Sequence, residues 1–446
     1  MSRSVTLLRI RTSFWYLPLF YGFIATLLAL ITLFADYFLL SAAKNGFHIP
    51  LVFLSDISLS QTILSSIASS LLTMTTITFS TILVVLTTYL SEFSPRALQN
   101  FITDHATQRV LGIFTGGFIY CILLLLLLKE TTEEQLFLVP AFAVAIAILC
   151  LIVFVFFIQH VTTWIQVSNL LHNITVEILE YMNENFHASE TREHDSPWDD
   201  WESNDLETKE PIIFKSEMSG YVQYINIPSL VKSASIHNCI IRVERQQGDY
   251  INEDTPLLSV WNDHSDTTID RREIMTNINV SVARAPLEDI EFGIRKVTEI
   301  GVRALSSGIN DPSTAVHCIE QLSTLLAKLT TLKGHQSYFN DHNGNLRVMI
   351  KTPDFFDYLD FGFSPLVRYG KSDIDVIASI IHAFTVIANH SPVKRKEAVW
   401  KFTRHTIEAI QSECYLSLEK ERINTNLKQL LFALGYSKEY ERLKLR

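Results

Sequence analysis

Four long runs of apolar residues fill most of the first 160 residues of the chain. They extend over Phe14–Phe34, Ile63–Leu90, Val110–Leu128 and Leu136–Ile158, and no charged residue interrupts any of them. A helix of about 20 such residues crosses the hydrocarbon core of a bilayer. In lipid, a helix satisfies its own backbone hydrogen bonds. The sequence therefore predicts a polytopic α-helical membrane domain with four transmembrane helices.

Charged residues around these runs indicate the orientation in the membrane. Three arginines precede the first run, and Arg96 and Arg109 lie in the segment after the second. Residues 129–135 hold one lysine and three glutamates. Because cytoplasmic loops are enriched in Lys and Arg, we expect both termini in the cytoplasm and residues 129–135 outside. The first run is too long for the core of a signal peptide, so we expect it to be retained.

The part of the chain that follows the four apolar runs divides into segments of different composition. Helical periodicity continues to about residue 185, which predicts a membrane domain of residues 1–185 with an extended fourth helix. Residues 186–210 are strongly acidic and predict a solvated linker, although Trp198 and Trp201 leave docking on a neighbouring domain open. Short alternating runs predict a small β domain at 211–285. Residues 286–446 predict an α-helical domain, so the cytosolic region is α+β.

The β segment contains two stretches, Ser219–Ile225 and Gly248–Leu257, in which turn residues adjoin a strand-like run. Their order resembles half of the motif of biotinyl- and lipoyl-type barrel-sandwich domains. That family carries its modified lysine in a later hairpin, and no lysine occurs between Leu257 and Ser281. The resemblance therefore extends to the scaffold alone, and a plain β-hairpin is the alternative interpretation.

Hydroxyl side chains follow one stripe of the second apolar run. Their spacing of three, four or seven residues places them on one face of a helix. Such a face can line a pore, where hydroxyls replace part of the hydration of an ion or solute. The alternative is helix packing, because Ser and Thr are small and bond to their own backbone carbonyls. The candidate pore-lining residues are Thr62, Ser66, Ser69, Thr73, Thr76, Ser80 and Thr87.

The third run contains a G-x-x-x-G step at Gly112 and Gly116. This spacing lets another helix approach the backbone closely, within one subunit or between two. No charged residue lies deep inside any of the four runs. Because proton pumps and ion-coupled carriers place acidic residues there, the sequence disfavours active transport and leaves passive conduction open.

No nucleotide-binding glycine loop, metalloprotease helix or nucleophile elbow occurs in the chain, so we expect no catalytic centre, cofactor or metal site. No basic stripe indicates nucleic-acid binding. One turn resembles a ligand site, because Asp311 and Pro312 predict a helix N-terminus that could hold an anion. The alternative is an ion pair between Arg303 and Asp311. The candidate anion or ligand residues are Arg303, Asn310, Asp311 and Thr314.

Several motifs together resemble one known family. They are Ser13-Phe14-Trp15, Ser91-Glu92-Phe93-Ser94-Pro95-Arg96, Ser219-Gly220-Tyr221-Val222-Gln223 and the stretch Arg303–Ala315. This combination is similar to the bacterial predicted membrane proteins known as domain of unknown function 2254. The resemblance implies a multi-pass protein of the bacterial cytoplasmic (inner) membrane and brings no activity with it.

From the residues, we expect a passive ion or small-solute channel that is modulated by its cytosolic region. Its partners would be the lipid bilayer and further copies of the chain. A small anion or a protein would be the ligand of the cytosolic domain. The alternative is a non-conducting membrane sensor or scaffold whose cytosolic domain binds that ligand.

Overall fold

A computed structural model describes most of the chain as two compact units, residues 1–170 and 171–446. The charged N-terminus, the loop 129–135 and nearly all of the acidic linker, with Trp198 and Trp201, lie outside the described residues. The described residues are 16–44, 50, 54–92, 105–128, 136–164, 166–187, 210–262, 270–281, 290–332 and 337–445.

Four apolar helices form the first unit. They are α1 (Tyr16–Lys44), α2 (Ile57–Glu92), α3 (His105–Leu127) and α4 (Val139–Trp164). Each contains a segment long and apolar enough to cross a membrane. The predicted set of four apolar helices is confirmed.

Helix α3 is the most buried of these four helices. Half of its most apolar segment (50%) is buried, against 17% in α1, 22% in α2 and 17% in α4. The side chains of Phe114, Tyr120 and Leu124 on α3 are fully buried. The Tyr120 hydroxyl also lies 3.0 Å from the hydroxyl of Thr32 on α1. Helix α3 is therefore the centre of the bundle.

Helix α5 (Val167–His187) follows α4 closely. Periodicity predicts one continuous helix to about residue 185, whereas α4 ends at Trp164 and α5 begins at Val167. The side-chain amide of Asn169 donates to the backbone carbonyl of Thr163 at 2.9 Å. The Thr163 carbonyl also accepts a bond from the backbone amide of Gln166 at 3.4 Å. The structure describes α4 and α5 as separate elements, and residue 165 between them lies outside the described residues.

The strands of the second unit form two sheets. One has the strand order β1-β5-β3-β8-β7, and the other has the order β4-β2-β6. Helices α6 (Ile227–Ile236) and α7 (Arg271–Met275) lie between strands in the chain. The strands are β1 (Ile212–Lys215), β2 (Gly220–Ile225), β3 (Cys239–Val243), β4 (Tyr250–Ile251), β5 (Pro256–Asn262), β6 (Ile278–Ser281), β7 (Tyr338–Asn340) and β8 (Leu346–Ile350).

The barrel-sandwich arrangement is not confirmed by these sheets. Strand β3 pairs in parallel with β8, which places Ile241 opposite Val348. Two strands from the C-terminal helical segment, β8 and β7, therefore complete the larger sheet. Ile241, Leu258 and Val348 are fully buried in the core beneath it. Strand β8 also pairs with β7, which lies just before it in the chain, whereas its parallel partner β3 is more than 100 residues away.

Helices make up the rest of the second unit. They are α8 (Ile290–Ala304), α9 (Pro312–Thr331), α10 (Phe355–Gly370), α11 (Ile374–His390), α12 (Val393–Ile410), α13 (Ser417–Leu434) and α14 (Tyr440–Leu443). The rings of Phe363, Phe384 and Phe402 meet edge to face across α10, α11 and α12. Such aromatic pairs add about 0.5–1.5 kcal/mol each beyond their buried area. Together with the two sheets, these helices give the second unit a mixed α and β composition.

Candidate functional site

Helix α2 has one face that is packed inside the four-helix unit. Its buried residues recur every three, four or seven positions, which is one face of an α-helix. They are Ser60, Leu64, Ala68, Leu71, Thr78, Ile82 and Val85. All but Ser60 and Thr78 are apolar, so this face is a mainly hydrophobic seam against the other helices.

The hydroxyl stripe lies on the opposite, exposed face of α2. Each of its members is offset by about half a helical turn from the buried seam. The exposed members are Thr62, Ser66, Ser69, Thr73, Thr76, Ser80 and Thr87. Within the single chain, none of them is used to pack α2 against the bundle.

This exposed face differs in composition from the exposed faces of α1 and α4. Between Ile57 and Thr88, ten of the sixteen exposed side chains are Ser or Thr. All twelve exposed side chains of Tyr16–Leu39 in α1 are aliphatic or aromatic, and so are nine of the twelve in Val139–Thr163 of α4, the other three being Gln159, Thr162 and Thr163 at its C-terminal end. Helices α1 and α4 therefore present mainly apolar surfaces suited to lipid tails, whereas α2 presents a surface rich in hydroxyl groups.

The threonine hydroxyls on this face are oriented by their own helix. Thr73 and Thr76 donate to the backbone carbonyls of Ser69 and Leu72, each at 2.9 Å. Thr62 and Thr87 donate in the same way, each at 2.8 Å. Because each proton points to a backbone carbonyl, the lone pairs of the oxygen remain for an outside donor or cation. The face therefore presents hydrogen-bond acceptors.

The glycines of the G-x-x-x-G step lie against α1. A Cβ atom on Gly112 would lie 2.7 Å from Cδ2 of Tyr21, and one on Gly116 would lie 3.2 Å from the Tyr21 carbonyl oxygen. Both distances are shorter than van der Waals contact. In the structure, this motif therefore accommodates a helix of the same subunit.

Asp36 is a buried carboxylate in the second half of α1, and its side chain is only 6% exposed. Its Oδ1 atom accepts a bond from the backbone amide of Leu138 at 2.6 Å. The backbone of Val139, the first residue of α4, also bonds to it. Asp36 on α1 therefore caps the N-terminus of α4. In the sequence, the only sign of this burial is that the residues around Asp36 are uncharged.

The turn before α9 contains the candidate anion residues. The predicted N-cap is confirmed, because Oδ1 of Asp311 accepts a bond from the backbone amide of Thr314 at 3.2 Å. Oδ2 of Asp311 accepts a bond from the Thr314 hydroxyl at 2.6 Å. Asn310 adopts a left-handed backbone conformation with φ of 49°, and Arg303 is exposed in the last turn of α8. Both oxygens of the Asp311 carboxylate thus serve the helix cap.

Comparison with known proteins places the chain in a family. The family model described as predicted membrane protein (DUF2254) matches residues 11–385. The chain belongs to this family. Uncharacterized proteins of Mycobacterium bovis and of two strains of Mycobacterium tuberculosis are similar, each 24% identical over 360 residues. The alignment covers 79% of this chain and 68% of each relative. No solved structure matches the chain.

Proposed function

We propose that the protein is a passive channel for small ions, assembled from several copies in a bacterial cytoplasmic membrane. In this assembly, the hydroxyl face of α2 in each copy lines a shared path. The cytosolic region of the protein modulates that path. Both chain termini lie in the cytoplasm, in accordance with the distribution of Arg and Lys around the membrane helices.

The composition of the exposed face of α2 carries this proposal. A face with ten Ser or Thr among sixteen exposed side chains is poorly matched to lipid tails. The exposed side chains of α1 and nine of the twelve in the apolar span of α4 are aliphatic or aromatic. The difference is explained if α1 and α4 contact lipid and α2 contacts other copies and water.

The direction of the threonine hydroxyls supports a preference for cations. Thr62, Thr73 and Thr76 donate their protons to backbone carbonyls of α2. Rings of such hydroxyls around an axis would turn oxygen lone pairs towards the path. Oxygen atoms can replace part of the water around a cation, whereas an anion needs donors. We therefore expect cations to pass more readily than anions.

Helix α5 supports a role for the cytosolic region. Its residue Ile178 is packed on Gly293 of α8, where an added Cβ atom would lie 2.4 Å from Cδ1 of Ile178. Helix α5 begins three residues after α4 ends. A rearrangement of α8 would therefore reach the chain immediately after the fourth membrane helix.

The second candidate is a non-conducting sensor or scaffold. The same hydroxyl bonds favour it, because a Ser or Thr that satisfies its donor on its own helix can pack against another helix without water. In that case the α2 faces of neighbouring copies would meet directly. Assembly would still occur, but no ion path would form.

Flux through reconstituted protein separates the two candidates. Purified protein in liposomes should conduct potassium, and Thr73→Leu or Thr76→Leu should reduce the unitary current because the added bulk enters the path. The matched control is Ala145→Leu, which adds similar bulk to the exposed face of α4 and should leave the current unchanged. Absence of flux under every voltage, pH and membrane tension applied would favour the scaffold.

A further inference from the structure

Charge is unevenly distributed along the chain. The whole chain has 37 Lys and Arg against 47 Asp and Glu, a net charge of −10. Residues 391–446 hold 12 basic and 7 acidic residues, a net charge of +5, so residues 1–390 carry −15. The family match ends at residue 385. A basic segment thus follows the part of the chain that the family model covers.

Three of these twelve basic residues meet at a groove between α12 and α14. Lys401, Arg404 and His405 follow one another at helical spacing on the exposed face of α12. Arg442 faces them from α14. Glu408 lies at the same groove. The remaining lining residues are Ile407, Gln411 and Leu443.

The basic side chains of this groove form at most weak ion pairs with other groups of the protein. Nζ of Lys401 lies 3.5 Å from Glu397, and Nη1 of Arg442 lies 3.7 Å from Glu439. These side chains are largely exposed, and exposed pairs of this kind contribute at most about 1 kcal/mol. Within the described part of the chain, no acidic side chain forms an ion pair with Arg404. The groove therefore holds three cations that are available to an incoming anion.

We propose that this groove binds a phosphate-bearing anion. The planar guanidinium groups of Arg404 and Arg442 can each donate two parallel hydrogen bonds to phosphate oxygens. Lys401 adds a compact positive charge beside them. Glu408 can accept a hydroxyl bond from the remainder of the molecule, so a phosphate ester with hydroxyl groups fits better than bare phosphate. A glycerol-containing lipid headgroup and a soluble sugar phosphate share this chemistry.

Two arms of one experiment distinguish these sources. The full-length protein is placed in phosphatidylcholine nanodiscs and titrated with inorganic pyrophosphate, while binding is measured by calorimetry. In the second arm, the melting temperature is compared between phosphatidylcholine nanodiscs and nanodiscs that also contain phosphatidylglycerol. The test variant is Arg404→Gln/Arg442→Gln. The matched control is Lys394→Gln/Lys428→Gln, which removes the same charge at exposed positions outside the groove.

If the groove binds a phosphate-bearing anion, the groove variant should lose binding or stabilisation in at least one of the two arms. Removing charge-assisted bonds to a phosphate should weaken pyrophosphate binding roughly tenfold or more, or abolish the stabilisation by phosphatidylglycerol. A loss in the first arm identifies a soluble phosphate, and a loss in the second arm alone identifies a lipid headgroup. The proposal is overturned if the wild-type protein responds to neither probe, or if the groove variant and the control respond equally.

Discussion

Asp36 and Leu138 are 102 residues apart in the chain, yet the carboxylate of the first accepts a hydrogen bond from the backbone amide of the second at 2.6 Å. This bond fixes the beginning of α4 to α1. The neighbouring residues Ser55 and Phe137 exchange two backbone bonds, at 3.1 and 2.8 Å. The ends of three membrane helices are therefore held together at one edge of the bundle.

Replacement of Asp36 by alanine should destabilise the membrane unit. The change leaves a buried amide unpaired, which costs about 1–3 kcal/mol, and we expect a lower melting temperature in detergent. Asp36→Asn should retain part of the stability, because an amide oxygen can still accept the bond. Asp56→Ala is the control, since Asp56 caps α2 at an exposed position. Equal melting temperatures for Asp36→Ala and wild type would show that the cap contributes nothing.

Substitution of Gly112 should loosen the contact between α1 and α3. An alanine there brings its Cβ within 2.7 Å of Tyr21 Cδ2 and within 3.3 Å of Tyr21 Cβ. Atoms this close to the backbone cannot move aside freely, and overpacking of this kind costs about 1–3 kcal/mol. Gly308→Ala is the control, because nothing lies within 4 Å of its added Cβ. Thermal unfolding of the two variants in the same detergent measures the difference.

The stability of the second unit should fall in acid through Asp341. Burial raises the pKa of this carboxyl, but bonds from Arg347 and from the backbone amides of Asn345 and Asn343 outweigh burial and set the pKa at about 2. Because this pKa is depressed from its ordinary value of 3.8, the stabilisation is complete above about pH 4 and is lost as pH falls towards 2.

Asp341→Asn should therefore be less stable than wild type at neutral pH, by about 1–3 kcal/mol. The gap should narrow between pH 4 and pH 2, the interval set by those two pKa values. Chemical unfolding monitored at several pH values provides the measurement. A gap that stays constant down to pH 2 would mean that the charge on Asp341 does not stabilise the fold.

Reporter fusions can test the orientation of the chain in the membrane. Reporter fusions after Lys444 should be active in the cytoplasm, because the charge bias places both termini there. Fusions within residues 129–135 should report the outer side of the membrane. The reverse pattern would place the basic groove outside the cell and would contradict the proposed orientation.

The sequence was sufficient to predict elements, because elements depend on local patterns. Uncharged runs predicted the four membrane helices, and Asp311 with Pro312 predicted the start of α9. The sequence was not sufficient to predict which strands pair when the two strands are distant in the chain. The parallel pairing of β3 with β8 joins Ile241 to Val348, and no local pattern specifies such a partner.

In the candidate site, too, local features could be predicted from the sequence and distant contacts could not. Periodicity predicted that the hydroxyls of α2 share one face, but it could not show that this face points out of the bundle. That direction depends on which other face packs, and Leu64, Leu71 and Val85 occupy the opposite side. The groove at Arg404 was missed because it requires Arg442 to return beside α12, which the C-terminal sequence does not indicate.

The most direct test of the central claim is whether water reaches the hydroxyl face of α2. Thr73→Cys and Thr76→Cys, in a background that carries Cys414→Ser to remove the exposed native thiol, are treated with a charged, membrane-impermeant thiosulfonate during current recording. Ile148→Cys, on the exposed apolar face of α4, is the lipid-facing control. We predict that both α2 cysteines are modified and that the current falls, while the α4 cysteine does not react. If the α2 cysteines are as unreactive as the α4 cysteine, the face is not water-lined and the channel proposal is wrong.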